Sequence, residues 1–413
     1  IKHSGTDNNT IMNKDKHIPS GYKPSPLGPI PEDWEVKRLG EICTHFKSGI
    51  TITSKDIHED GLYPVYGGNG LRGYANTFTH DGSYILIGRQ GALCGNVNYV
   101  DGKNYISEHA IAVQTNENMQ WLKYKLENWN LNRFSESSAQ PGLSVEKLVR
   151  YKLSVPTLKE QNKIADILSL WDTAIEKQTA LIEKLTLRKR GLMQQLLMGR
   201  KRLKGFSGEW KEVRLGDVCS FLSNNTLSRG QLNNENGNIH YGDVLIKYPS
   251  VLDCNKIILP FLNEGTYKES MNDFIYDGDL IISDTAEDET VGKACEVQNV
   301  GNRKILAGLH TMLLRPNAGI FAPYFLGYYI NSEAYHGKLL PLIQGIKVCS
   351  IGKLAIQNTS IAVPSIDEQN AIASILIQAD KEIELANKKL TRLQEQKKGL
   401  MQVLLTGKRR VRL

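Results

Sequence analysis

A block of about 50 residues occurs twice in this chain at a constant separation of 208 positions, and that duplication constrains what the chain can fold into more than any other feature. Val155-Pro156 and Glu160-Gln161-Asn162 return as Val363-Pro364 and Glu368-Gln369-Asn370. Gly191-Leu192-Met193-Gln194, Leu196-Leu197 and Gly199 return as Gly399-Leu400-Met401-Gln402, Leu404-Leu405 and Gly407. An ungapped repeat of this length predicts two copies of one folding unit. Upstream the copies drift apart. Trp34 and 38–43 match Trp210 and 214–219 at an offset of 176. Tyr66-Gly67 aligns with Tyr241-Gly242, Asp81-Gly82 with Asp277-Gly278, and His109 with His310. Most of the length gained by the second copy falls between the Tyr-Gly and Asp-Gly pairs. A length-conserved scaffold carrying two unlike globular segments would have this signature.

The conserved block reads as a long helix in each copy. Apolar residues recur in alternating steps of four and three at Ile164, Leu168, Trp171, Ile175, Ile182, Leu185, Leu192 and Leu196. The second copy repeats the pattern at Ile372, Leu376, Ile383, Leu390, Leu393, Leu400 and Leu404. A 3–4 spacing held over more than four heptads is a coiled-coil seam. Gln178, Lys189 and Lys397 interrupt it with polar side chains. Thr157-x-x-Glu160 and Ser365-x-x-Glu368 read as capping boxes, and Gly199 and Gly407 as C-terminal caps. Each helix of about 38 residues would extend about 57 Å at 1.5 Å per residue. Two equivalent helices are expected to pair antiparallel, generating a pseudo-two-fold repeat.

The segments between the helices are rich in short β-branched and aromatic runs broken by Gly, Asn and Asp, such as 84–87, 110–113, 280–282 and 311–314. These are expected as strands of mixed α/β domains, with helices near 121–129 and 323–331. The fold class is therefore α+β: two mixed domains joined by two long paired helices. The expected divisions are a flexible proline-rich arm at 1–31, globular domains at 32–155 and 206–363, and helices at 156–205 and 364–413.

Charge follows the scaffold. The chain carries a formal net charge of +7. Residues 188–204 contribute seven basic and no acidic residues, and 388–412 nine basic and one acidic. The rest of the chain is net acidic. Cations in the last turns of a helix offset its dipole, and the same surface can meet phosphate or an acidic protein.

Recognisable catalytic chemistry is absent from the sequence. The six cysteines are scattered without a C-x-x-C pair, which argues against a zinc site, and no metal site is expected. No phosphate loop of the G-x-x-x-x-G-K-[ST] type occurs. Asp33-x-Glu35-x-Lys37 has the look of a nuclease constellation, but its counterpart at Glu209-x-Lys211 does not preserve it. The repeated His109 and His310 read as structural histidines. With no signal peptide or membrane-length apolar run, a cytoplasmic location is expected. The chain reads as a binding protein, not an enzyme.

These motifs resemble the specificity subunits of prokaryotic type I restriction–modification enzymes. The resemblance rests on Ile30-Pro31-x-x-Trp34 with Arg38-Leu39-Gly40, and on the duplicated Val-Pro, Glu-Gln-x-x-Ile-Ala and Gly-Leu-Met-Gln motifs. Gly88-Arg89-Gln90-Gly91 is similar to an Arg-Gly loop common in the family's recognition domains, and Ile282-Ser283-Asp284 occupies the matching place. The resemblance implies two target-recognition domains, each reading half of a bipartite double-stranded DNA site, and spacer helices fixing the gap. It also implies partners: two methyltransferase (M) subunits using S-adenosylmethionine, and restriction (R) subunits using ATP and magnesium. No cofactor is expected on this chain itself. Candidate DNA contacts in the first domain are Lys47, Asn69, Arg72, Arg89, Gln90 and Gln140. Those in the second are Thr226, Arg229, Tyr241, Lys293, Gln344 and Lys347. All offer donors, in or near Gly-containing loops, for phosphates or base edges. A stand-alone bipartite DNA-binding regulator and a coiled-coil adaptor share many of these features.

Overall fold

A computed structural model describes residues 18–91, 93–135, 142–222, 224, 232–259, 261–262 and 274–412. The chain divides into two compact units. Unit 1 combines Ile1–Thr179 with Lys389–Leu413, and unit 2 is Ala180–Lys388. The two long helices, Leu158–Leu196 and Ile366–Leu404, each run through both units.

Unit 1 is built on a four-stranded sheet in the order Cys43–Ser48, Ala110–Thr115, Tyr84–Gly88, Val97–Val100, with antiparallel neighbours. A three-stranded sheet places Tyr63–Gly67 between Gly70–Ala75 and Tyr105–Ile106. Strands Glu35–Arg38 and Lys152–Val155 pair where the chain enters and leaves the domain. The helix expected near 121–129 spans Met119–Asn128, and Asn118 caps it by accepting from Trp121 N at 2.8 Å.

Unit 2 repeats each part. Its main sheet runs Cys219–Leu222, Thr311–Pro316, Leu280–Ser283, Ala294–Gln298, then gains a parallel edge strand, Val251–Asp253. Lys211–Arg214 pairs with Ser360–Val363 as the entry and exit strands. The helix expected near 323–331 is Phe325–Ile330. One aligned pair from the sequence is corrected by the parallel strands. Tyr66 lies opposite Ile106, and Ile239 opposite Ala307, so Tyr66 corresponds to Ile239. Tyr241-Gly242 instead opens the helix Tyr241–Ile246, part of the added material in the second copy.

Residues 22–31, which their prolines suggested were part of a flexible arm, form a short antiparallel pair in unit 1. The Tyr22 hydroxyl donates to Gly407 O at 2.7 Å, and Ile30 is buried.

Within each unit the two long helices run antiparallel. In unit 1, Glu160 bonds Arg410 while Asp172 meets Lys397; in unit 2, Glu368 bonds Arg202 while Asp380 meets Lys189. Every apolar seam residue named from the sequence is buried or half-buried, whereas Leu170, Leu181, Leu187 and Leu385 off the seam are exposed. The helix ends do more than pair with each other. Ile164, Leu168 and Leu404 share one core with Trp34, Trp121, Leu122 and Leu153. Leu196, Ile372 and Leu376 share another with Leu215, Phe325 and Leu326. The helix termini are thus part of the domain cores, which fixes each domain to its helices.

The carboxylates read as capping-box partners have a different task. Thr157 and Ser365 accept from the N–H of Glu160 and Glu368 at 3.4 Å. The Glu160 carboxylate accepts from Trp34 Nε1 at 2.8 Å and from Arg410 through two nitrogens at 2.7 and 2.8 Å. Glu368 accepts from Trp210 Nε1 at 3.1 Å and twice from Arg202 at 2.7 Å. Both carboxylates are buried, so these bonds hold what water would otherwise solvate. Gly199 and Gly407 have φ of +65° and +74°, the left-handed conformation expected of C-terminal caps.

Candidate nucleic-acid interface

Close backbone packing builds the loop surface of unit 1. The turn 67–70 joins Tyr63–Gly67 to Gly70–Ala75. A Cβ on Gly68 would fall 2.7 Å from His109 O, and one on Gly88 would fall 2.5 Å from Gly68 O. Only glycine lets the turn, the end of strand Tyr84–Gly88 and the approach to strand Ala110–Thr115 meet this closely. Three backbone bonds then hold the Arg89 loop: Arg89 N donates to His109 O (2.8 Å), Gly95 N to Gly88 O (2.8 Å), and Leu143 N to Arg89 O (2.9 Å).

This arrangement brings Asn69, Arg72, Arg89 and Gln90 onto one loop cluster. Asn69, Arg72 and Gln90 are exposed and Arg89 is half-buried. The Arg72 stem packs on Gly67. Among the described residues no carboxylate pairs with Arg72 or Arg89. Lys47 is exposed but sits two strands away, opposite Ala112 and level with Leu86. Gln140 lies outside the described residues.

Unit 2 hangs its corresponding loop on the same bonds. Asp284 N donates to His310 O (3.1 Å), Gly292 N to Ser283 O (2.9 Å), and Ile351 N to Asp284 O (3.0 Å). Asp284 therefore stands where unit 1 has Arg89. Its Oδ1 accepts from Thr285 Oγ1 at 2.8 Å and lies 3.5 Å from His310 Nδ1. In unit 1 the matching His109 faces Glu108 at 3.2 Å. Both histidine side chains are nearly half exposed, so they belong to the loop surface and not to a core.

The candidates of unit 2 divide into four groups. Tyr241 is half-buried, with its ring 5.3 Å from that of His310. Gln344 and Lys347 are exposed on a loop closed by two backbone bonds between Gln344 and Ser350. Lys293 donates from Nζ to Leu245 O at 2.6 Å, and burial lowers its pKa. Its ammonium thus ties down the end of the helix Tyr241–Ile246. Thr226 and Arg229 lie outside the described residues.

No group of three or more His, Cys, Asp or Glu able to hold a metal occurs among the described residues. Asp33 and Lys37, two of the residues with a nuclease-like spacing, are engaged by Arg410 and Glu35. Burial raises the Cys43 and Cys219 thiols to about 12, which keeps them protonated. No described helix is long and apolar enough to cross a membrane.

Polar sets absent from the sequence-based expectations fasten each domain to its helices. Besides the Trp–Glu–Arg contacts, Asp172 receives both Lys397 and the Tyr124 hydroxyl, and Asp380 receives Lys189 and the Tyr328 hydroxyl. A signal was present: both Asp–Lys pairs recur at the 208-residue offset.

Comparison with known proteins agrees with this architecture. Residues 31–187 and 207–395 match the family described as type I restriction modification DNA specificity domain. Over 143 residues the chain is 46% identical to the type I restriction enzyme EcoprrI specificity subunit of Escherichia coli; the match spans 33% of this chain and about a third (35%) of that relative. The type I restriction enzyme MjaVIII specificity subunit of Methanocaldococcus jannaschii is 25% identical over 93% of this chain and 94% of its own length. The same fold occurs in the S subunit of the M. genitalium type I restriction–modification system, with a TM-score of 0.55, 15% identity, and coverage of 90% of this chain and 96% of that one. A chain solved in work on complex assembly and conformational transition of the type I R-M system gives a TM-score of 0.59 at 17% identity, covering 92% and 99%. This chain belongs to the type I restriction–modification DNA specificity family.

Proposed function

We propose that this chain is the sequence-reading subunit of a type I restriction–modification complex and that its two recognition domains read the unlike halves of one bipartite, asymmetric DNA site. The observation that carries the reading is a duplicated frame with unlike contents. The same three backbone bonds hold Arg89 in unit 1 and Asp284 in unit 2. An arginine at this place offers donors to guanine O6 and N7 or to phosphate, whereas an aspartate accepts from an exocyclic amine such as cytosine N4. Two readers on one scaffold specify a split site, and unlike readers make it asymmetric.

In this reading the chain performs no chemistry. It docks two methyltransferase subunits, which bring S-adenosylmethionine, and restriction subunits, which bring ATP and magnesium, and it works in the cytoplasm. Of the cations in the helix-end stretches, Arg188, Lys189, Arg190, Arg202, Lys388, Lys397 and Arg410 are paired with carboxylates of their own unit. The basic stretches therefore serve the scaffold first, and DNA affinity depends on the partner subunits.

Methylome sequencing with and without the gene tests the reading. Loss of one bipartite methyl-adenine motif on deletion is the expected result, and an unchanged methylome would overturn it. A stand-alone regulator would instead bind its site tightly without any partner, which gel filtration of the purified chain with DNA would reveal.

A further inference from the structure

Of the seam positions named in the two helices, only Lys189 and Lys397 are charged. Each meets a carboxylate on the opposing helix within its own unit, and a tyrosine from the globular domain joins it. In unit 1, Lys397 Nζ bonds Asp172 Oδ1, and the Tyr124 hydroxyl donates to Asp172 Oδ2 at 2.6 Å. The ammonium stands 4.9 Å from the Tyr124 ring centroid. In unit 2, Lys189 Nζ bonds Asp380 Oδ1 at 2.5 Å, the Tyr328 hydroxyl donates to Asp380 Oδ2 at 2.6 Å, and the ammonium stands 5.3 Å from the Tyr328 ring. Both lysine side chains are largely buried, at 14% and 18% exposure. One carboxylate thus joins three elements: the two long helices and the short helix Met119–Asn128 or Phe325–Ile330.

The chemistry of these sets differs from that of the seam around them. Leucine and isoleucine are interchangeable partners, so an apolar seam holds helices together without choosing among registers a heptad apart. A lysine at a seam position chooses, because a slip of one heptad replaces its aspartate by Ala165 or Thr179 in one unit and by Ala373 or Asn387 in the other, none of them a carboxylate. The tyrosine hydroxyl extends that choice to the domain, since it meets the same carboxylate only in one seating. The two sets are evenly placed: Asp172 precedes Lys189 by the same number of residues as Asp380 precedes Lys397.

We propose that the sets Tyr124–Asp172–Lys397 and Tyr328–Asp380–Lys189 are register locks. They fix how the helices pair and where each recognition domain sits on them, and so give the DNA site one gap length. These are positioning residues that touch no base. The proposal rests on the bipartite-reader function above.

The test is the methylome of strains carrying the wild-type gene, the double variant Lys189→Leu with Lys397→Leu, and the double variant Tyr124→Phe with Tyr328→Phe. Removing the lysines leaves Asp172 and Asp380 without their ion partners, so this variant should melt lower than wild type as well as lose its single register. The expected result is retention of both half-sites with at least a tenfold rise in methylation at sites whose gap is changed by a base pair or more. The phenylalanine variant should show a smaller rise, and Lys189→Arg with Lys397→Arg should restore a single gap. If the leucine variant does not assemble, the phenylalanine variant decides. A single unchanged gap in a methylating variant overturns the lock. A wild-type strain with no bipartite motif overturns the parent reading, and the lock with it.

Discussion

The Arg89 loop of unit 1 and the Asp284 loop of unit 2 are held by the same backbone bonds and carry opposite charges. By contrast, the fastenings of domain to helix are built from the same residue types in both units: tryptophan and arginine on a buried glutamate, tyrosine and lysine on an aspartate. The contrast separates two demands on one fold. Contacts that set geometry must match between the copies, because a mismatch would seat one reader differently from the other. Contacts that read sequence are free to differ, and a divided site gains information when they do.

The largest effects are expected at the shared scaffold. Leu168 and Leu376 are fully buried equivalents, one in each unit. Changing either to alanine should cost about 3 kcal/mol of unfolding free energy through lost burial and a residual cavity. Denaturant unfolding of the two variants should give equal losses, and a marked difference would show that the units are not mechanically equivalent. Glu160 offers a second test. Its buried carboxylate satisfies Trp34 and Arg410, so Glu160→Ala should cost about 3 kcal/mol by leaving those donors unpaired. Glu368→Ala should destabilise unit 2 in the same direction, readable by the same method.

The differing loops call for a smaller and one-sided effect. Arg89→Ala should lower affinity for one half-site by about 2 kcal/mol, roughly thirtyfold, and leave the other half's base preference intact. Asp284→Ala should do the converse, with preference changed only in the half read by unit 2. Methylation of oligonucleotide sites altered in one half at a time distinguishes the two.

The subtlest test sets the pH responses of the units against each other. Burial lowers the Lys125 ammonium of unit 1 from 10.5 to about 7. Between about pH 7 and 10.5 the unfolded chain then binds more protons than the folded one, so this residue makes stability rise with pH across that window. Burial raises the Glu296 carboxyl of unit 2 from 4.5 to about 7. Here the folded chain binds more protons, so stability falls as pH rises from about 4.5 to 7. Denaturation across pH should show both slopes, with Lys125→Met removing the first and Glu296→Gln the second.

Much of this scaffold was legible in the sequence because helices announce themselves through local periodicity. A 3–4 spacing and a constant offset are enough to place Leu168 and Leu376 at matching seams. The polar fastenings were harder to see. Glu160 has the spacing of a capping box, and nothing local reveals that Trp34 and Arg410, distant in sequence, converge on its carboxylate. Charge left two readings open, compensation of the helix dipole or contact with an external anion, and many of these cations face carboxylates of the same unit. The loop candidates fared according to backbone context. Gly68 and Gly88 let the turn beside Arg89 pack against neighbouring backbone, whereas Lys293, expected as a loop cation, spends its ammonium on Leu245 O. Tyr241 was aligned with Tyr66 by a dipeptide match that strand register does not support.

Whether the two mounts are equivalent is decided by a chimera, a chain in which residues 35–155 of the first domain also replace 211–363 of the second. If both mounts seat a reader alike, the methylome of a strain carrying it should contain a palindromic interrupted motif built from one half of the natural site on both sides. Methylation that keeps an asymmetric motif would contradict the account.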